Sequence, residues 1–220
     1  NQMIDLRIGL IDSNELVRSG RAMVINSQSE MRVIFEESDP LKAVTHAPDY
    51  LVDVIVVGPS QYQLRGARFV ESLCQALSDA GNEGVVVAYG AFTTSKLRYE
   101  ALSSGAQEYV GLDVPASELL RTLRLAVKSD FLVDPTELRK LGDAFGFLPS
   151  NAELEEKLSE LSESQTKIIE LFLNGAGDYS IGRQLEIPRS RVAGTIESVM
   201  RAGNFTSRNQ LALSLLGGSK

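Results

Sequence analysis

Few side chains in this sequence have the type and spacing that catalysis requires. The 220 residues include one histidine, His46, and one cysteine, Cys74. A nucleophilic dyad or a metal site needs further groups at suitable spacing, and the sequence around His46 supplies none. Cys74 lies in the apolar stripe of a predicted helix, so we interpret it as a core residue. We therefore predict no catalytic residues, no metal site and no cofactor, and we predict that the protein is not an enzyme.

Binding to phosphate is the chemistry that the sequence supports best. After Pro188, apolar residues recur from Val192 to Met200 at the spacing of a buried helix stripe. At about 100° per residue, the small, polar and charged residues between them face the opposite way. These outward residues are Ser190, Arg191, Gly194, Glu197, Ser198 and Arg201. A helix face of small and basic side chains can enter a major groove, so we predict that this face binds double-stranded DNA.

The charge of the chain is unevenly divided. The net charge of −7 by itself disfavours nucleic acid as a partner. From residue 161 to 220, however, seven Lys and Arg stand against five Asp and Glu, a charge of +2. The other 160 residues contain 15 Lys and Arg and 24 Asp and Glu, a charge of −9. Only the C-terminal part can lie on phosphate, and its small surplus predicts that tight binding needs two copies, as in a homodimer.

Four short helices are predicted to position the basic face. Ser162 with Gln165, and later Ser207 with Gln210, have the spacing of helix capping boxes. Between them, Asp178 is predicted to cap a second helix, and Pro188 suits the first turn of the third. Two helices joined by a tight turn, the second with a polar outer face, form a helix-turn-helix.

The N-terminal part alternates strand and helix patterns five times. Strands are predicted at residues 6–11, 31–35, 52–57, 84–88 and 108–110. Helices are predicted at residues 15–24, 41–45, 66–80, 94–103 and 115–127. Repeated βα units with continuously apolar strands indicate a parallel sheet that is covered on both faces. We therefore expect an α/β fold with a flavodoxin-like, doubly wound, parallel five-stranded sheet, followed by an all-α helix-turn-helix domain.

Ligands of such sheets bind at the carboxyl ends of the strands. The segments RIGLIDSNELVRSG, DVIVVGP and SSGAQEYVGLD resemble a CheY-like receiver domain, over residues 5–128. The resemblance implies a pocket with two adjacent acids, an acceptor aspartate, a Thr or Ser and a Lys. In this chain Asp12 and Ser13 stand for the acids, Gly58 for the acceptor and Leu112 for the Lys. If the sequence is aligned with the receiver pattern without a gap, Gly90 occupies the Thr or Ser position. A shift of the alignment by one or two residues would place Tyr89 or Ala88 there.

This degenerate pocket lacks the groups that phosphoryl transfer needs. Phosphorylation requires a carboxylate at position 58, and Mg²⁺ prefers several hard oxygen ligands. We therefore predict no phosphorylation and no Mg²⁺ dependence, and we interpret Asp12 as a helix-capping residue. Tyr109 lies where receivers keep an aromatic that moves on phosphorylation, and we interpret it as a half-buried aromatic on an edge strand. An unknown small molecule or protein can provide the signal instead.

Residues 161–212, LSESQTKIIELFLNGAGDYSIGRQLEIPRSRVAGTIESVMRAGNFTSRNQLA, resemble the LuxR-type helix-turn-helix of bacterial response regulators. The family reads DNA with the third helix and dimerises through the fourth. The resemblance implies that phosphates are held by Arg191, Ser190, Thr195 and Arg201, with Arg189 and Arg208 at the margins. Gly194 and Glu197 would face the bases. Ala193, Thr195 and Glu197 depart from residues that are common in the family, and Glu197 would either accept from a cytosine amino group or repel phosphate.

Residues 129–160 are predicted to form a helical linker between the receiver-like domain and the helix-turn-helix domain at 161–220. Ser150 with Glu153 has the spacing of a capping box. Leu154, Leu158 and Leu161 then mark a narrow apolar stripe. Two interpretations remain open, a helix that binds a partner and a connector that packs on its own helix-turn-helix domain.

The sequence thus predicts an atypical LuxR/NarL-type response regulator, a homodimeric transcription factor that works without phosphorylation. No apolar run approaches bilayer length and no signal-peptide pattern opens the chain, so we expect no membrane association and a cytoplasmic location. The alternative is a receiver-like interaction protein that binds a partner regulator and does not grip DNA.

Overall fold

The computed structural model describes residues 6–58, 67–127 and 133–218. The chain divides into two compact units, residues 1–128 and residues 129–220. Within the described ranges, none of the helices combines the length and the apolar character needed to cross a bilayer.

The first unit is built on five parallel strands. The strands are β1 (Leu6–Ile11), β2 (Met31–Glu37), β3 (Val54–Val57), β4 (Val85–Gly90) and β5 (Glu108–Gly111). Their spatial order is β2-β1-β3-β4-β5. This order is that of the flavodoxin-like doubly wound sheets, which confirms the predicted fold class.

Helices cover both faces of this sheet. They are α1 (Glu15–Asn26), α2 (Pro40–His46), a 3₁₀ turn (Ala47–Asp49), α3 (Ala67–Asp79), α4 (Ser95–Ser103) and α5 (Ala116–Ala126). Side chains alternate along the central strand β3, so that Ile55 and Val57 join one buried cluster while Val54 and Val56 join the other. Because both faces of β3 are buried, all four residues must be apolar, which explains the continuous run VIVV.

The second unit contains six helices in its described part. They are α6 (Pro135–Phe145), α7 (Ala152–Ser159), α8 (Glu163–Leu173), α9 (Asp178–Leu185), α10 (Arg189–Ala202) and α11 (Arg208–Leu215). Both predicted capping boxes are present, Ser162 with Gln165 and Ser207 with Gln210. Phe172, Ile181 and Leu211 are among the fully buried side chains that these helices share as a core.

The predicted linker differs from what the structure contains, because its described residues belong to the second unit. Leu138 of α6 and Leu154 of α7 have no exposed surface. The amide of Leu148, between these helices, donates to the carbonyl of Leu213 in α11. Of the two interpretations of this segment, packing on its own helical domain is therefore the one that the structure supports.

Two predicted helix caps in this unit were wrong. Asn151, and not Ser150, caps α7 by accepting from the amide of Leu154, while the hydroxyl of Ser150 donates to Glu155. Gly177 occupies the cap position of α9, and Asp178 is the first helical residue. Each error is a shift of one residue, within the usual uncertainty of helix boundaries.

Asp178 is used instead in a buried ion pair with Arg208. Both carboxylate oxygens accept from the guanidinium, at 2.6 and 2.8 Å, in a bidentate arrangement. The side chains are only 2% and 17% exposed. The pair joins α9 to α11, so Arg208 is a structural residue, and its predicted place at the margin of a DNA contact was wrong.

Replacing Arg208 with Met should strongly destabilise the helical unit. The substitution removes the cation from a buried carboxylate, which costs about 3 to 5 kcal/mol of unfolding free energy. The matched control, Arg201→Met, removes an exposed Arg and should change the unfolding free energy by less than about 0.5 kcal/mol. Urea unfolding followed by circular dichroism measures both, and equal effects of the two variants would contradict the structural role of Arg208.

Candidate nucleic-acid interface and strand-end pocket

Helix α10 has one buried and one exposed face. Pro188 takes the cap position with φ −60° and ψ 142°, which is one residue before the predicted first-turn position. Val192, Ile196 and Val199 are fully buried and fix the rotation of the helix about its axis. They belong to the apolar stripe that the spacing of the sequence predicts, whereas Met200, the last residue of that predicted stripe, is only partly buried.

The opposite face of α10 is open to solvent. Its exposed residues are Arg189, Ser190, Arg191, Gly194, Glu197 and Arg201, and Ser198 beside them is partly exposed. A side chain added at Gly194 would meet nothing within 4 Å. In the part of the chain that the structure describes, the side chains of Arg191 and Arg201 enter no ion pair. The face therefore presents three guanidinium groups, a carboxylate and a flat central position.

Thr195 does not belong to this face. Its side chain is 6% exposed, and its hydroxyl donates to the carbonyl of Arg191 one turn earlier, at 3.0 Å. The prediction that Thr195 holds a phosphate was therefore wrong. Its position, three residues after the buried Val192 and four before the buried Val199, places it on the inner side of the helix.

A second polar face, on α9, was missed by the sequence analysis. Tyr179, Ser180, Arg183 and Gln184 are exposed and line a shallow groove. Tyr179 is 67% exposed, and the guanidinium of Arg183 lies 6.0 Å from the centre of its ring. The signal in the sequence is the spacing of these residues around the apolar Ile181 and Leu185.

Helices α9 and α10 come close together at Gly182. A Cβ at this position would lie 2.8 Å from the carbonyl oxygen of Ile187 and 3.6 Å from the backbone nitrogen of Arg189. Glu186, in the turn between the helices, has a left-handed φ of 56°. The start of α10 thus packs against the inner side of α9, at a buried glycine.

In the first unit, Asp12 lies at the carboxyl end of β1 and is buried. Its Oδ1 accepts from the amide of Asn14 at 2.9 Å, and its Oδ2 accepts from the guanidinium of Arg21 at 3.1 Å. Asn14 is the residue that caps α1, since its side chain accepts from the amide of Val17. The interpretation of Asp12 as the helix cap was therefore wrong.

The strand-end pocket is filled by its own side chains. A Cβ at Gly58 would overlap the carboxylate of Asp12, and a Cβ at Gly90 would overlap the hydroxyl of Tyr109. Ser13 and Leu112, in contrast, are exposed. The structure brings Asp12 and Gly58 together, but it leaves no room for a larger residue at position 58 or 90.

Tyr109 is more buried than the sequence analysis expected. Its side chain is 3% exposed, and its hydroxyl donates to the carbonyl of Phe92 at 2.7 Å. Burial raises the pKa of this phenol, and the charges of Asp113 and Glu100 act in the same direction. Tyr109 can lie inward because Gly90, on the neighbouring strand, has no side chain.

Receiver domains are expected to hold Mg²⁺ at this pocket, and the donor set here does not fit that ion. Both oxygens of Asp12 already accept hydrogen bonds, and one of them faces a guanidinium. Mg²⁺ requires near-octahedral oxygen coordination. In the described ranges, no group of three His, Cys, Asp or Glu side chains is placed to hold a metal ion.

Comparisons with known proteins agree with this two-unit architecture. The chain is 25% identical over 208 residues to the transcriptional regulatory protein LiaR of Bacillus subtilis, covering 94% of this chain and 95% of LiaR. It is 22% identical to the oxygen regulatory protein NreC of Staphylococcus aureus, with 94% of each chain covered. Both relatives are regulatory proteins.

Solved structures share the fold. A response regulator RcsB of Salmonella typhimurium matches 98% of this chain and 99% of its own, with a TM-score of 0.51 and 14% identity. The receiver domain of the putative response regulator NarL from Mycobacterium tuberculosis covers 56% of this chain and 97% of its own, with a TM-score of 0.50 and 20% identity.

No protein-family model matches the chain. The sequence likeness nevertheless extends through both units of the chain and through nearly the whole length of its relatives. Along both of its units the chain is therefore similar to transcriptional regulatory proteins, which is consistent with a response regulator of the LuxR/NarL type.

Proposed function

We propose that this protein is a sequence-specific DNA-binding regulator of transcription that acts as a homodimer and needs no aspartate phosphorylation. The observation that supports this most is the exposed face of α10, where Arg191 and Arg201 point away from a buried aliphatic stripe. A helix of this kind can enter the major groove with its cationic groups toward the phosphates.

The residues of the face have different roles in this proposal. Arg191 and Arg201 hold phosphates, with Ser190, Ser198 and Arg189 beside them. Gly194 lets the helix approach the base edges closely, since nothing surrounds its open side. Glu197 accepts a hydrogen bond from a cytosine amino group, which gives it a role in specificity and explains an acid on a cationic surface.

Helix α9 extends the contact to the flanking backbone. In helix-turn-helix proteins the first helix crosses the DNA backbone while the second lies in the groove. Arg183 and Tyr179 are exposed on α9, the helix whose Gly182 packs against the start of α10. A phosphate can accept hydrogen bonds from both side chains.

The charge of the C-terminal part supports the proposal of a homodimer. The segment from residue 161 to 220 has a surplus of two positive charges. Counterion release scales with the number of phosphates that are neutralised, so two copies on adjacent half-sites bind much more tightly than one. We propose that the protein works on such sites in the bacterial cytoplasm, and that a small molecule or a protein supplies the signal at the receiver-like unit.

Substituting Arg201 with Ala should weaken binding to all DNA sequences alike, because a phosphate contact carries no sequence information. We expect the slope of log affinity against log salt to fall by about one. Fluorescence anisotropy with a random-sequence duplex at several salt concentrations measures this slope. The matched control is Lys167→Ala, which removes one exposed positive charge from α8.

Two outcomes would contradict parts of the proposal. An unchanged salt slope for Arg201→Ala would remove this residue from the contact surface. Failure of the unmodified protein to bind any duplex at low salt would contradict DNA binding itself and favour the interaction protein that binds a partner regulator. Selection of bound sites from a random DNA pool then tests symmetry, since a dimer selects palindromic half-sites.

Substituting Arg183 with Ala should reduce affinity for the selected site and for random DNA by a similar factor, about three- to tenfold at low salt. The substitution removes one phosphate contact of α9 and leaves the base-reading face of α10 intact. Competition between the two duplexes measures the ratio of affinities. A change in that ratio without a change in overall affinity would show that Arg183 does not contact the backbone.

Incubation with acetyl phosphate and Mg²⁺ should leave both the mass of the protein and its DNA affinity unchanged, because Gly58 offers no carboxylate to a phosphoryl donor. Intact-protein mass spectrometry and anisotropy measure the two quantities. A receiver domain that retains its acceptor aspartate is the positive control. Addition of an acid-labile phosphoryl group would contradict the proposal.

A further inference from the structure

A buried arginine lies in the strand-end pocket. Arg21, on the inner face of α1, has a side chain that is only 10% exposed. Its Nη1 donates to Oδ2 of Asp12 at 3.1 Å, and its guanidinium carbon lies 4.5 Å from the centre of the Tyr89 ring. The cation is thus held between a carboxylate and an aromatic face, which are two groups that favour positive charge.

The burial of this arginine is costly. Nη2 of Arg21 is buried and has no hydrogen-bond partner among the described residues. Burial lowers the pKa of the guanidinium, while Asp12 and Tyr89 oppose the change. Arginine remains protonated in proteins nonetheless, so the pocket contains a permanent positive charge. Residues that served packing alone would not require a charge here.

A second arginine of α1 binds the same aspartate. Nη1 of Arg18 donates to the backbone carbonyl of Asp12 at 2.7 Å. Together with the amide of Asn14 on Oδ1, these contacts fix both the backbone and the side chain of Asp12. The fixed carboxylate occupies the space that a Cβ at Gly58 would need.

We propose that the guanidinium of Arg21 takes the place of the divalent metal ion in this receiver-like unit, holding Asp12 over Gly58 and closing the strand-end pocket to metal ions. The inference rests on the contacts of Asp12 within the first unit and not on the proposed binding of DNA. In this proposal Arg21 neutralises the carboxylate of Asp12, as a bound cation would. The positive charge is then part of the chain itself.

The proposal can be tested by restoring the missing acid with and without Arg21. Four full-length proteins are compared: the unmodified chain, Ser13→Asp, Arg21→Met, and the double variant. Binding of Mn²⁺ is measured by the paramagnetic relaxation of water protons. We expect the double variant to bind Mn²⁺ at least about tenfold more tightly than Ser13→Asp, since the guanidinium of Arg21 donates to the same carboxylate and repels the ion.

Equal Mn²⁺ affinity of Ser13→Asp and the double variant would overturn the proposal, because Arg21 would then not occupy the place of the ion. Absence of binding by both would overturn it as well. If the Met variant does not fold, Arg21→Gln keeps a hydrogen-bond donor for Asp12 without the charge, and the same comparison applies. DNA binding by the unmodified chain at low salt is a separate measurement, so failure of the proposed function would leave this result standing.

Discussion

The sidedness of α10 is the constraint on which the proposed function depends. A helix exposes a cationic face reliably only if its other face is anchored, and Val192, Ile196 and Val199 provide that anchor by complete burial. Any other rotation of the helix would expose these aliphatic side chains to water, which costs free energy. The rotation of the helix, and with it the direction of Arg191 and Arg201, therefore follows from packing inside the second unit.

Most of the fold could be predicted from the sequence because it is encoded locally. The run VIVV in β3 and the spacing of apolar residues in α10 each predict an element from neighbouring residues alone. Charged contacts over a distance could not be found in this way. Arg208 and Asp178 are 30 residues apart, and only the tertiary fold of the second unit brings them together. Arg208 was consequently assigned to DNA, as an unpaired surface arginine would be.

The strand-end pocket shows the same difference between local features, which the sequence predicts, and long-range contacts, which it does not. The absence of an acceptor at Gly58 and of a lysine at Leu112 can be read directly from the sequence. The side chains that fill the strand-end pocket instead cannot be read from the sequence. Arg21 reaches the pocket from a helix and Tyr109 from a strand, and only the tertiary structure brings them there. The residues absent from the pocket positions predict which chemistry the domain lacks, whereas the packing of the folded chain determines which side chains fill the pocket.

Gly182 has a consequence for how such a protein can diverge. Its hydrogen lies against the backbone of Ile187 and Arg189, and a methyl group there would press on the carbonyl of Ile187. The separation of α9 and α10, and hence the angle at which α10 leaves the turn, is limited by a buried residue that lies outside the proposed DNA-binding face. Under the proposed function, a substitution at this inner glycine would therefore change the DNA sequence preference while every outward-facing side chain stays the same.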